Sequence, residues 1–300
     1  MASPADVAGL GMVTVDHLFL VPGLPAVGAP RRASGHARAC GGPVPNALAC
    51  LSRLGISTRF VGKVGDDEEG GFARSELLRQ GVDVSRVRVA RGRSRLVLVI
   101  VEEDGGERAF VSLPESFPPL TGADLEAEDV AGARVLHLDD ADDAAVQAAR
   151  RASASGAAVV FDGTWQSDRL EELLPLVDYA VVSEFFARRW LPGAGPWQVL
   201  RRLRALGAGT AVLTRGEHGA AAEDGRGPVE CPAPAVEVVD TTGAGDAFHG
   251  GFIFGVLQGW PLDRSLRYAC AAGALNCRAL GGQAGLPSRE EVEELLAASP

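Results

Sequence analysis

Short apolar segments alternate with amphipathic segments along most of the 300-residue chain. The apolar segments are rich in β-branched residues and bounded by Gly, Asp or Ser, as buried strands often are; they are RFVGKV, RVLHL, AAVVFDG, YAVVS and TAVLTRG. Between them, DAAVQAARRASAS and WQVLRRLRALGA repeat apolar residues at helical spacing. This alternation predicts an α/β protein with a parallel sheet and helices on both faces. In such sheets, ligands bind beyond the carboxyl ends of the strands.

Two regions break this alternation. The segment SRLVLVIVEEDGGERAFVSLPE contains two strand-like runs joined by Glu-Asp-Gly-Gly, which indicates a β-hairpin. Near the N-terminus, MVTVDHLFLV and the later RRASGHARA also look extended. Together these segments predict a small second sheet beside the main one. Because no repeat, low-complexity tract or linker divides the chain, we expect a single domain over residues 1–300.

Composition argues against several classes of protein. The formal net charge of −10 disfavours a nucleic-acid partner, because such proteins generally present a basic face to phosphates. The five cysteines are odd in number and widely spaced, which favours reduced thiols over disulfides or a zinc site. No apolar run approaches a membrane span, and the N-terminal segment lacks the features of a signal peptide. We therefore expect a cytoplasmic protein with no membrane partner.

The stretch DTTGAGDAFHGG, residues 240–251, places a glycine-rich turn before a predicted helix. The first N–H groups of a helix lack intrahelical partners, so Gly243, Ala244 and Gly245 can form an anion hole. The glycines at 243 and 245 are expected to adopt unusual dihedrals and to let a ligand approach the backbone closely. Asp246 would repel an anion bound alone, but it can accept the proton of a hydroxyl that attacks a bound phosphoryl group. The alternatives are a tight structural turn and a carboxylate that stabilises the helix dipole.

Two common nucleotide-binding patterns do not fit this turn. The Walker A pattern is absent because no Lys follows the glycines, and the Rossmann pattern fails because Phe248 occupies the third glycine position. The turn also lies in the last quarter of the chain, far from the first βα unit. These departures disfavour an NAD-dependent dehydrogenase built on a similar sheet.

Two separate stretches resemble one known family. Residues 240–251 resemble the C-terminal signature of the ribokinase-like (PfkB) carbohydrate kinases. A second stretch resembles the N-terminal signature of the same family: GGPVPNALACLSRLG at 41–55, followed by FVGKVGDDEEGGFARSELLRQGV at 60–82. The resemblance implies a three-layer α/β sandwich with a mainly parallel central sheet and a small β lid, formed by segments at about 12–40 and 92–114. In the family the lid covers the sugar and often forms a dimer contact, which suggests a homodimer through the lid.

The resemblance assigns roles to individual residues. Asp246 would be the catalytic base, and the amides of Gly243, Ala244 and Gly245 would hold the transferred phosphoryl group. The implied substrate-binding residues are Asp16, Gly41, Gly42, Asn46 and Asp140. Glycines permit close backbone approach, and an amide both donates to and accepts from hydroxyls. Asp16, which is expected at the end of the first strand, would accept from two substrate hydroxyls. A structural turn for the glycines and a capping role for Asp16 are the alternatives.

Nucleotide and cation sites follow from the same resemblance. Thr214, Gly216 and Gly219 in LTRGEHGA match a family loop that contacts ATP phosphates, with a plain β-turn as the alternative. Asn276 and residues 281–285 fall where the adenine pocket and a cation loop are expected. Asp240 and Thr242 would contact a monovalent cation such as K⁺, mainly through carbonyl oxygens. The implied cofactors are therefore ATP and Mg²⁺, with K⁺ as a further cation.

Two acidic regions are harder to assign. Many family members carry Asn-x-x-Glu after a central strand, where it organises Mg²⁺ and phosphates, whereas this chain has Ser183-Glu184-Phe185-Phe186. Either Glu184 serves from a shifted position or Mg²⁺ depends on other groups. The four aspartates within residues 139–143 lack the EF-hand pattern and are interpreted mainly as helix caps, with Asp139 or Asp140 contacting sugar.

The resulting hypothesis is an ATP-dependent kinase that phosphorylates a primary hydroxyl of a small neutral sugar, ribose- or ketose-like. Sulfosugar kinases of the family hold the sulfonate with a Lys and an Arg, and Pro30 and Asp140 stand at about those positions here. Arg31 and Arg108 are the alternative partners for a negatively charged substrate. Few aromatic residues lie in the lid segments, which disfavours stacking of a purine. The alternatives are a kinase of a sugar acid, sulfosugar or nucleoside, and a non-catalytic sugar- or nucleotide-binding homologue.

Overall fold

The computed structural model describes residues 5–103, 108–164 and 168–298. The strands are β1 (Val7–Leu10), β2 (Thr14–Val21), β3 (Gly35–Gly41), β4 (Thr58–Gly65), β5 (Val82–Ala90), β6 (Leu96–Glu102), β7 (Arg108–Leu113), β8 (Val135–Leu138), β9 (Ala158–Gly163), β10 (Tyr179–Ser183), β11 (Thr210–Thr214), β12 (Ala220–Glu223) and β13 (Pro228–Cys231). The α-helices are α1 (Pro43–Arg53), α2 (Glu68–Arg79), α3 (Asp143–Ser155), α4 (Leu170–Leu173), α5 (Glu184–Trp190), α6 (Pro196–Ala205), α7 (Ala244–Leu257), α8 (Leu262–Asn276) and α9 (Arg289–Ala298).

The main sheet has the strand order β13-β12-β11-β10-β9-β8-β1-β4-β5. Neighbouring strands from β11 to β5 pair in parallel, whereas β12 and β13 add an antiparallel edge. The five strand segments predicted from the sequence form β4, β8, β9, β10 and β11. The prediction of a mainly parallel sheet is therefore confirmed.

Helices cover both faces of the main sheet, because successive strand residues point to opposite sides. In β10, Val181 packs in a core that includes residues of α1, α7 and α8, whereas Val182 packs in a core with residues of α3 and α6. Both valines are fully buried. The fold is thus the expected three-layer α/β sandwich, and the carboxyl ends of its parallel strands meet at one edge.

The small sheet has the strand order β3-β2-β6-β7. Strand β2 pairs antiparallel with β3 and parallel with β6, and β6 pairs antiparallel with β7. The predicted second sheet is confirmed, although residues 104–107 of the hairpin lie outside the described residues. Strand β7 lies at an edge and exposes Phe110, Val111 and Leu113. A contact with a second copy of the chain through this sheet stays a prediction.

The acidic run at 139–143 divides between two structural roles. Asp142 is the N-cap of α3, and its side chain accepts a hydrogen bond from the Ala145 amide at 2.8 Å. This confirms the predicted capping role for one member of the run. Asp139, by contrast, is buried at the end of β8, and its carboxylate accepts from the Met12 amide at 3.3 Å. Asp139 therefore ties the segment after β1 to the end of the neighbouring strand.

The state of the cysteines and the character of the helices bear on the expectations from composition. All five cysteines are free and buried, in agreement with the prediction of reduced thiols. In the part of the chain that the structure describes, no helix combines the length and the apolar character needed to cross a bilayer.

Candidate active site

The predicted anion hole lies at the start of α7, and its two glycines differ. Gly243 is the N-cap and has φ 74°, in the left-handed region, and a Cβ there would lie 2.6 Å from Gly282 Cα. Gly245 does not have a positive φ, and a Cβ on it would meet no described atom within 4 Å. The expectation of unusual dihedrals at both positions is therefore correct only for Gly243. Gly245 instead leaves open space above the first N–H groups of the helix.

Asp246 occupies the first turn of α7, where its carboxylate meets a side chain from α1. Asn46 Nδ2 donates to Asp246 Oδ2 at 2.7 Å, and Gln283 Nε2 donates to Asn46 Oδ1 at 2.9 Å. Burial, together with the negative charge of Asp162, raises the pKa of Asp246 to about 8. A carboxyl with a pKa near neutrality can both accept and release a proton under physiological conditions.

The other predicted sugar-binding residues gather beside Asn46. Gly41 ends β3 and Gly42 is the N-cap of α1 with φ 112°. A Cβ on Gly41 would collide with the Asp16 carboxylate, whose Oδ1 accepts from Thr14 Oγ1 at 2.6 Å. Burial raises the pKa of Asp16 to about 6. The structure therefore brings two ionisable carboxyls and two close-packed glycines to one place.

Asp16 was expected at the end of the first strand, and this prediction is wrong. Residues 7–10 form a separate strand of the main sheet, and Asp16 lies near the start of β2 in the small sheet. The chain passes from one sheet to the other between these strands. Asp16 is therefore the contribution of the small sheet to the predicted sugar site.

Asp140 lies next to a cavity of about 180 Å³ at the ends of β1, β4 and β8. The cavity lining includes Met12, Lys63, Phe117 and Asp139. Lys63 Nζ donates to the Pro118 carbonyl at 2.9 Å. Charges of both signs and one aromatic ring thus surround a space large enough for part of a ligand.

The predicted nucleotide loop follows β11 and is held by its own backbone. Gly216 and Gly219 have φ of 55° and 78°, and the Arg215 amide donates to the Gly219 carbonyl at 2.7 Å. Thr214, the last residue of β11, pairs in register with Ser183 at the end of β10. The end of β10 and the predicted phosphate loop therefore lie side by side.

Glu184 begins α5 beside this loop, and Ser183 is the cap of that helix. The Ser183 hydroxyl accepts from the Phe186 amide at 3.1 Å. The Glu184 carboxylate lies 3.8 Å from Arg215 Nε and 3.7 Å from Arg188 Nη1. Within residues 5–103, 108–164 and 168–298, no group of three or more His, Cys, Asp or Glu is placed to hold a metal ion. Glu184 therefore suits Mg²⁺ only if phosphates and water supply most ligands.

The residues predicted for adenine and K⁺ lie beneath the anion-hole turn. The Asp240 carboxylate accepts from the Thr242 amide and hydroxyl, each at 2.8 Å, and from the Gly281 amide at 2.7 Å. Asn276 is fully buried, and its Nδ2 donates to the Thr242 carbonyl at 3.0 Å. These hydrogen bonds shape the turn itself. A direct contact from Asn276 to adenine stays a prediction.

Residues 5–289 of the chain match the model of the pfkB family of carbohydrate kinases. The chain belongs to this family. It is 32% identical over 293 residues to aminoimidazole riboside kinase of Salmonella typhimurium, covering 89% of this chain and 91% of that protein. It is 30% identical over 321 residues to fructokinase-1 of Oryza sativa subsp. japonica, covering 97% of each. Arabidopsis thaliana ribokinase, solved with ribose and ATP, matches with a TM-score of 0.83 at 26% identity, covering 98% of this chain and 99% of that one.

The pfkB kinase described here also has functional-site neighbours that sequence reasoning missed. Asp162, buried at the end of β9, is the charged group with the largest effect on the pKa of Asp246. Gln283 supports Asn46, and His249 lies beneath the turn on α7. The sequence offered a signal only for Asp162, as an acidic residue at the end of an apolar strand. The other two contacts depend on how distant segments meet.

A further missed contact joins the small sheet of the kinase to the anion-hole turn. Arg108, at the start of β7, donates from Nη1 to Thr241 Oγ1. Its positive charge also lowers the pKa of Asp246, against the larger effects of burial and Asp162. Sequence reasoning considered Arg108 only as a partner for a negatively charged substrate. The structure instead places it at the turn that precedes α7.

Proposed function

We propose that this kinase transfers the γ-phosphoryl group of ATP to a primary hydroxyl of a small neutral sugar, of the ribose or ketose type. The observation that carries the proposal is the hydrogen bond from Asn46 to Asp246 at the start of α7. This contact places a carboxyl with a pKa of about 8 beside the open N-terminus of a helix. A proton acceptor and an anion-binding site thus adjoin one another.

In this proposal the sugar lies between the small sheet and α1. Asp16 accepts hydrogen bonds from sugar hydroxyls, and the backbone of Gly41 and Gly42 allows the ring to approach closely. Asn46 orients both the sugar and the Asp246 carboxylate. Asp246 accepts the proton of the attacking hydroxyl, and the amides of residues 243–245 stabilise charge on the phosphoryl group.

The nucleotide would bind along the edge where β10 and β11 end. Thr214, Gly216 and Gly219 are proposed to contact its phosphates. Mg²⁺ bound with ATP would neutralise phosphate charge, and Glu184 is the carboxylate proposed to help hold it. K⁺ would fit beneath the turn, because the buried Asn276 Oδ1 lacks a hydrogen-bond partner among the described residues. Carbonyl and amide oxygens are ligands that such a cation accepts.

The pH dependence follows from the state that Asp246 needs in order to act. A base must be deprotonated, and the pKa of about 8 leaves much of this carboxyl protonated at neutral pH. We therefore expect kcat/KM to rise with pH and to level off above about pH 8. Measurement of kcat/KM across pH 6–9.5, with saturating nucleotide, would check this.

The decisive test combines a substrate panel with Asp246→Asn. ADP release from ATP would be measured with ribose, fructose, a sugar acid, a sulfosugar and nucleosides. For the accepted sugar, the variant should lose about 10²-fold or more in kcat, because general-base catalysis typically contributes that much. Its melting temperature and ATP affinity should stay close to those of the parent chain. Retention of more than about a tenth of the activity would exclude the proposed role of Asp246.

A riboside is the second candidate acceptor, and a specific observation favours it. The cavity next to Asp140 leaves about 180 Å³ beside the proposed sugar site, with the Phe117 ring in its wall. The relative that is 32% identical is named as a kinase of an aminoimidazole riboside. Including that riboside and free ribose in the same panel separates the candidates. A larger kcat/KM for the riboside would identify it as the acceptor, whereas a preference for the free sugar would exclude it.

A further inference from the structure

The side-chain amide of Asn46 can face the proposed base in two ways. Rotation of the amide by half a turn exchanges Nδ2, which donates, for Oδ1, which accepts, with almost no change in shape. A deprotonated Asp246 needs a donor, because a carboxylate has no hydrogen to offer. Asn46 is 3% exposed, so its orientation depends on the protein groups around it rather than on solvent. The residue that fixes this orientation therefore bears on catalysis.

Gln283 contacts the oxygen of the Asn46 amide. Gln283 Nε2 donates to Asn46 Oδ1 at 2.9 Å, while Asn46 Nδ2 donates to Asp246 Oδ2 at 2.7 Å. The two hydrogen bonds run in one direction, from Gln283 through Asn46 to the carboxylate. In such a chain each bond polarises the next, so an amide whose oxygen accepts a hydrogen bond is a stronger donor at its nitrogen. Gln283 therefore both favours and strengthens the contact that Asn46 makes with Asp246.

The backbone that precedes this glutamine adds a steric constraint. A Cβ on Gly282 would lie 2.7 Å from Asn46 Nδ2, so the backbone passes directly against the amide. The Gly281 amide donates to Asp240 Oδ2 at 2.7 Å, which fixes this segment to the turn before α7. Residues 281–283 therefore reach the Asn46 amide from a segment that is fixed to the same turn as the proposed base.

This arrangement leaves hydrogen-bonding groups for a sugar. Asn46 Nδ2 has a second hydrogen and Oδ1 a second lone pair, so the amide can still contact sugar hydroxyls. Asn46 donates to Oδ2 of Asp246, which leaves Oδ1 of that carboxylate for the proton of the attacking hydroxyl. A reversed amide would place its oxygen against the carboxylate, and that contact is favourable only when Asp246 holds a proton. A reversed Asn46 would thus favour the protonated, inactive form of the base.

Groups on several elements act on the charge of the proposed base. Burial and the negative charge of Asp162 on β9 have the largest effects on its pKa, and both raise it. Asp16 on β2 raises this pKa further, whereas the hydrogen bond from Asn46 and the charge of Arg108 on β7 lower it. Cys50 on α1 stays neutral, because burial raises its pKa to about 12. Of the two lowering effects, the hydrogen bond from Asn46 is the larger, so its loss would leave more of the base protonated at neutral pH.

We propose that Gln283 is a positioning residue that acts through Asn46, holding the Asn46 amide with its nitrogen toward Asp246 so that this carboxylate can serve as the base. This inference rests on the proposed function, in which Asp246 is the base. Gln283 carries no charge, so its loss should reach Asp246 only through the Asn46 amide. Gln283→Met removes the donor and keeps an uncharged side chain of similar length.

The test is a double-mutant cycle on the pH profile of kcat/KM for the accepted sugar, with the parent chain, Gln283→Met, Asn46→Leu and the double variant. A weaker hydrogen bond to a carboxylate raises its pKa, so the acidic limb of Gln283→Met should move to higher pH by about 0.5 unit. Such a shift equals roughly a 3-fold fall in kcat/KM at pH values well below the limb. In the Asn46→Leu background the same substitution should leave the limb unmoved, because the residue through which Gln283 acts is gone.

Two other results of the cycle would overturn the inference. An unmoved limb in Gln283→Met would show that Asn46 keeps its orientation without this donor, and a lower melting temperature alone would indicate a purely structural role. An equal shift in the parent and Asn46→Leu backgrounds would show that Gln283 acts on the base by another route.

Two further measurements keep this inference separate from the proposed function and from a failure to fold. An active Asp246→Asn variant would overturn both the proposed function and the inference. An inactive one, with an unmoved limb in Gln283→Met, rejects only the role of Gln283. If Gln283→Met does not fold, NMR of the ¹⁵N-labelled parent chain and of Asn46→Leu replaces it. The side-chain NH₂ signals of one glutamine should then differ between the two proteins, and unchanged glutamine signals would overturn the inference.

Discussion

The two sides of the proposed site differ in how their residues are held. On the sugar side, Asn46 and Gln283 form a chain of side-chain hydrogen bonds that reaches Asp246 from distant parts of the sequence. On the nucleotide side, the loop after β11 is held by its own backbone, and Glu184 is partly exposed. The sugar side is therefore organised before a ligand arrives, whereas the nucleotide side leaves charged groups for phosphates to engage.

On the sugar side, the largest effects are expected from substitution of the anion-hole glycines. Gly243→Ala places a Cβ within 2.6 Å of Gly282 and forces a left-handed backbone, which costs at least about 1–2 kcal/mol of folding stability. Gly245→Ala is the matched control, because its Cβ meets no described atom within 4 Å. We expect Gly243→Ala to lower both the melting temperature and kcat. Gly245→Ala should lower kcat alone, because its methyl group occupies the space proposed for the phosphoryl group.

Thermal melts and steady-state kinetics on both variants would check this. Equal loss of melting temperature in the two variants would contradict the distinction between the glycines. Unchanged kcat in Gly245→Ala would mean that the phosphoryl group does not approach the helix at this position.

The next effect should come from Asn46→Leu, which removes the contact between α1 and Asp246. A hydrogen bond to a charged group contributes about 1.5–3 kcal/mol, so kcat/KM should fall by roughly 10- to 100-fold. The Asn46 hydrogen bond lowers the pKa of Asp246, so its loss should move the acidic limb to higher pH. A pH profile of kcat/KM measures both changes. A fall in kcat/KM without any movement of the acidic limb would show that Asn46 contributes to sugar binding alone.

On the nucleotide side, two glycines of one loop provide another matched pair. A Cβ at Gly219 would collide with the Cys231 carbonyl, whereas a Cβ at Gly216 meets no described atom within 4 Å. Both residues have positive φ, so each alanine variant carries backbone strain. Gly219→Ala should therefore raise the KM for ATP several-fold more than Gly216→Ala, with little change in the KM for the sugar. Similar KM values for ATP in the two variants would show that the shape of this loop does not determine ATP binding.

The smallest effect is expected for Glu184→Gln. This carboxylate is 36% exposed, and its ion pairs with Arg188 and Arg215 are longer than 3.5 Å, so their contribution to stability is small. We expect an unchanged melting temperature and a few-fold rise in the Mg²⁺ concentration needed for half-maximal rate. Arg188→Gln, which breaks one of the same ion pairs, is the control. If both variants behave alike, Glu184 has no part in holding Mg²⁺.

Local sequence patterns predict the elements of this fold better than its contacts. Five of the seven strands that pair in parallel in the main sheet, together with the small sheet, follow from apolar runs and turn residues, because these signals are local. Strand β1 was missed because it has only four residues, so Asp16 was expected at the end of the first strand. The antiparallel edge formed by β12 and β13 was also missed, since short strands carry a weak periodic signal.

Within the candidate site, the sequence predicted residues but not their partners. Asp246 and Asn46 were both chosen, yet their contact spans 200 positions and depends on how α1 packs against α7. Asp240 was expected to contact a cation mainly through its carbonyl oxygen, and the hydrogen bonds by which its carboxylate folds the turn were not foreseen. Such contacts follow from tertiary packing, which no pattern along the chain records.

The Arg108 contact with Thr241 brings one charge of the small sheet to the proposed base. Arg108 on β7 lowers the pKa of Asp246, whereas Asp16 on β2 of the same sheet raises it. Displacement of the sheet would withdraw both charges together. The readiness of Asp246 to accept a proton therefore depends on where the small sheet lies.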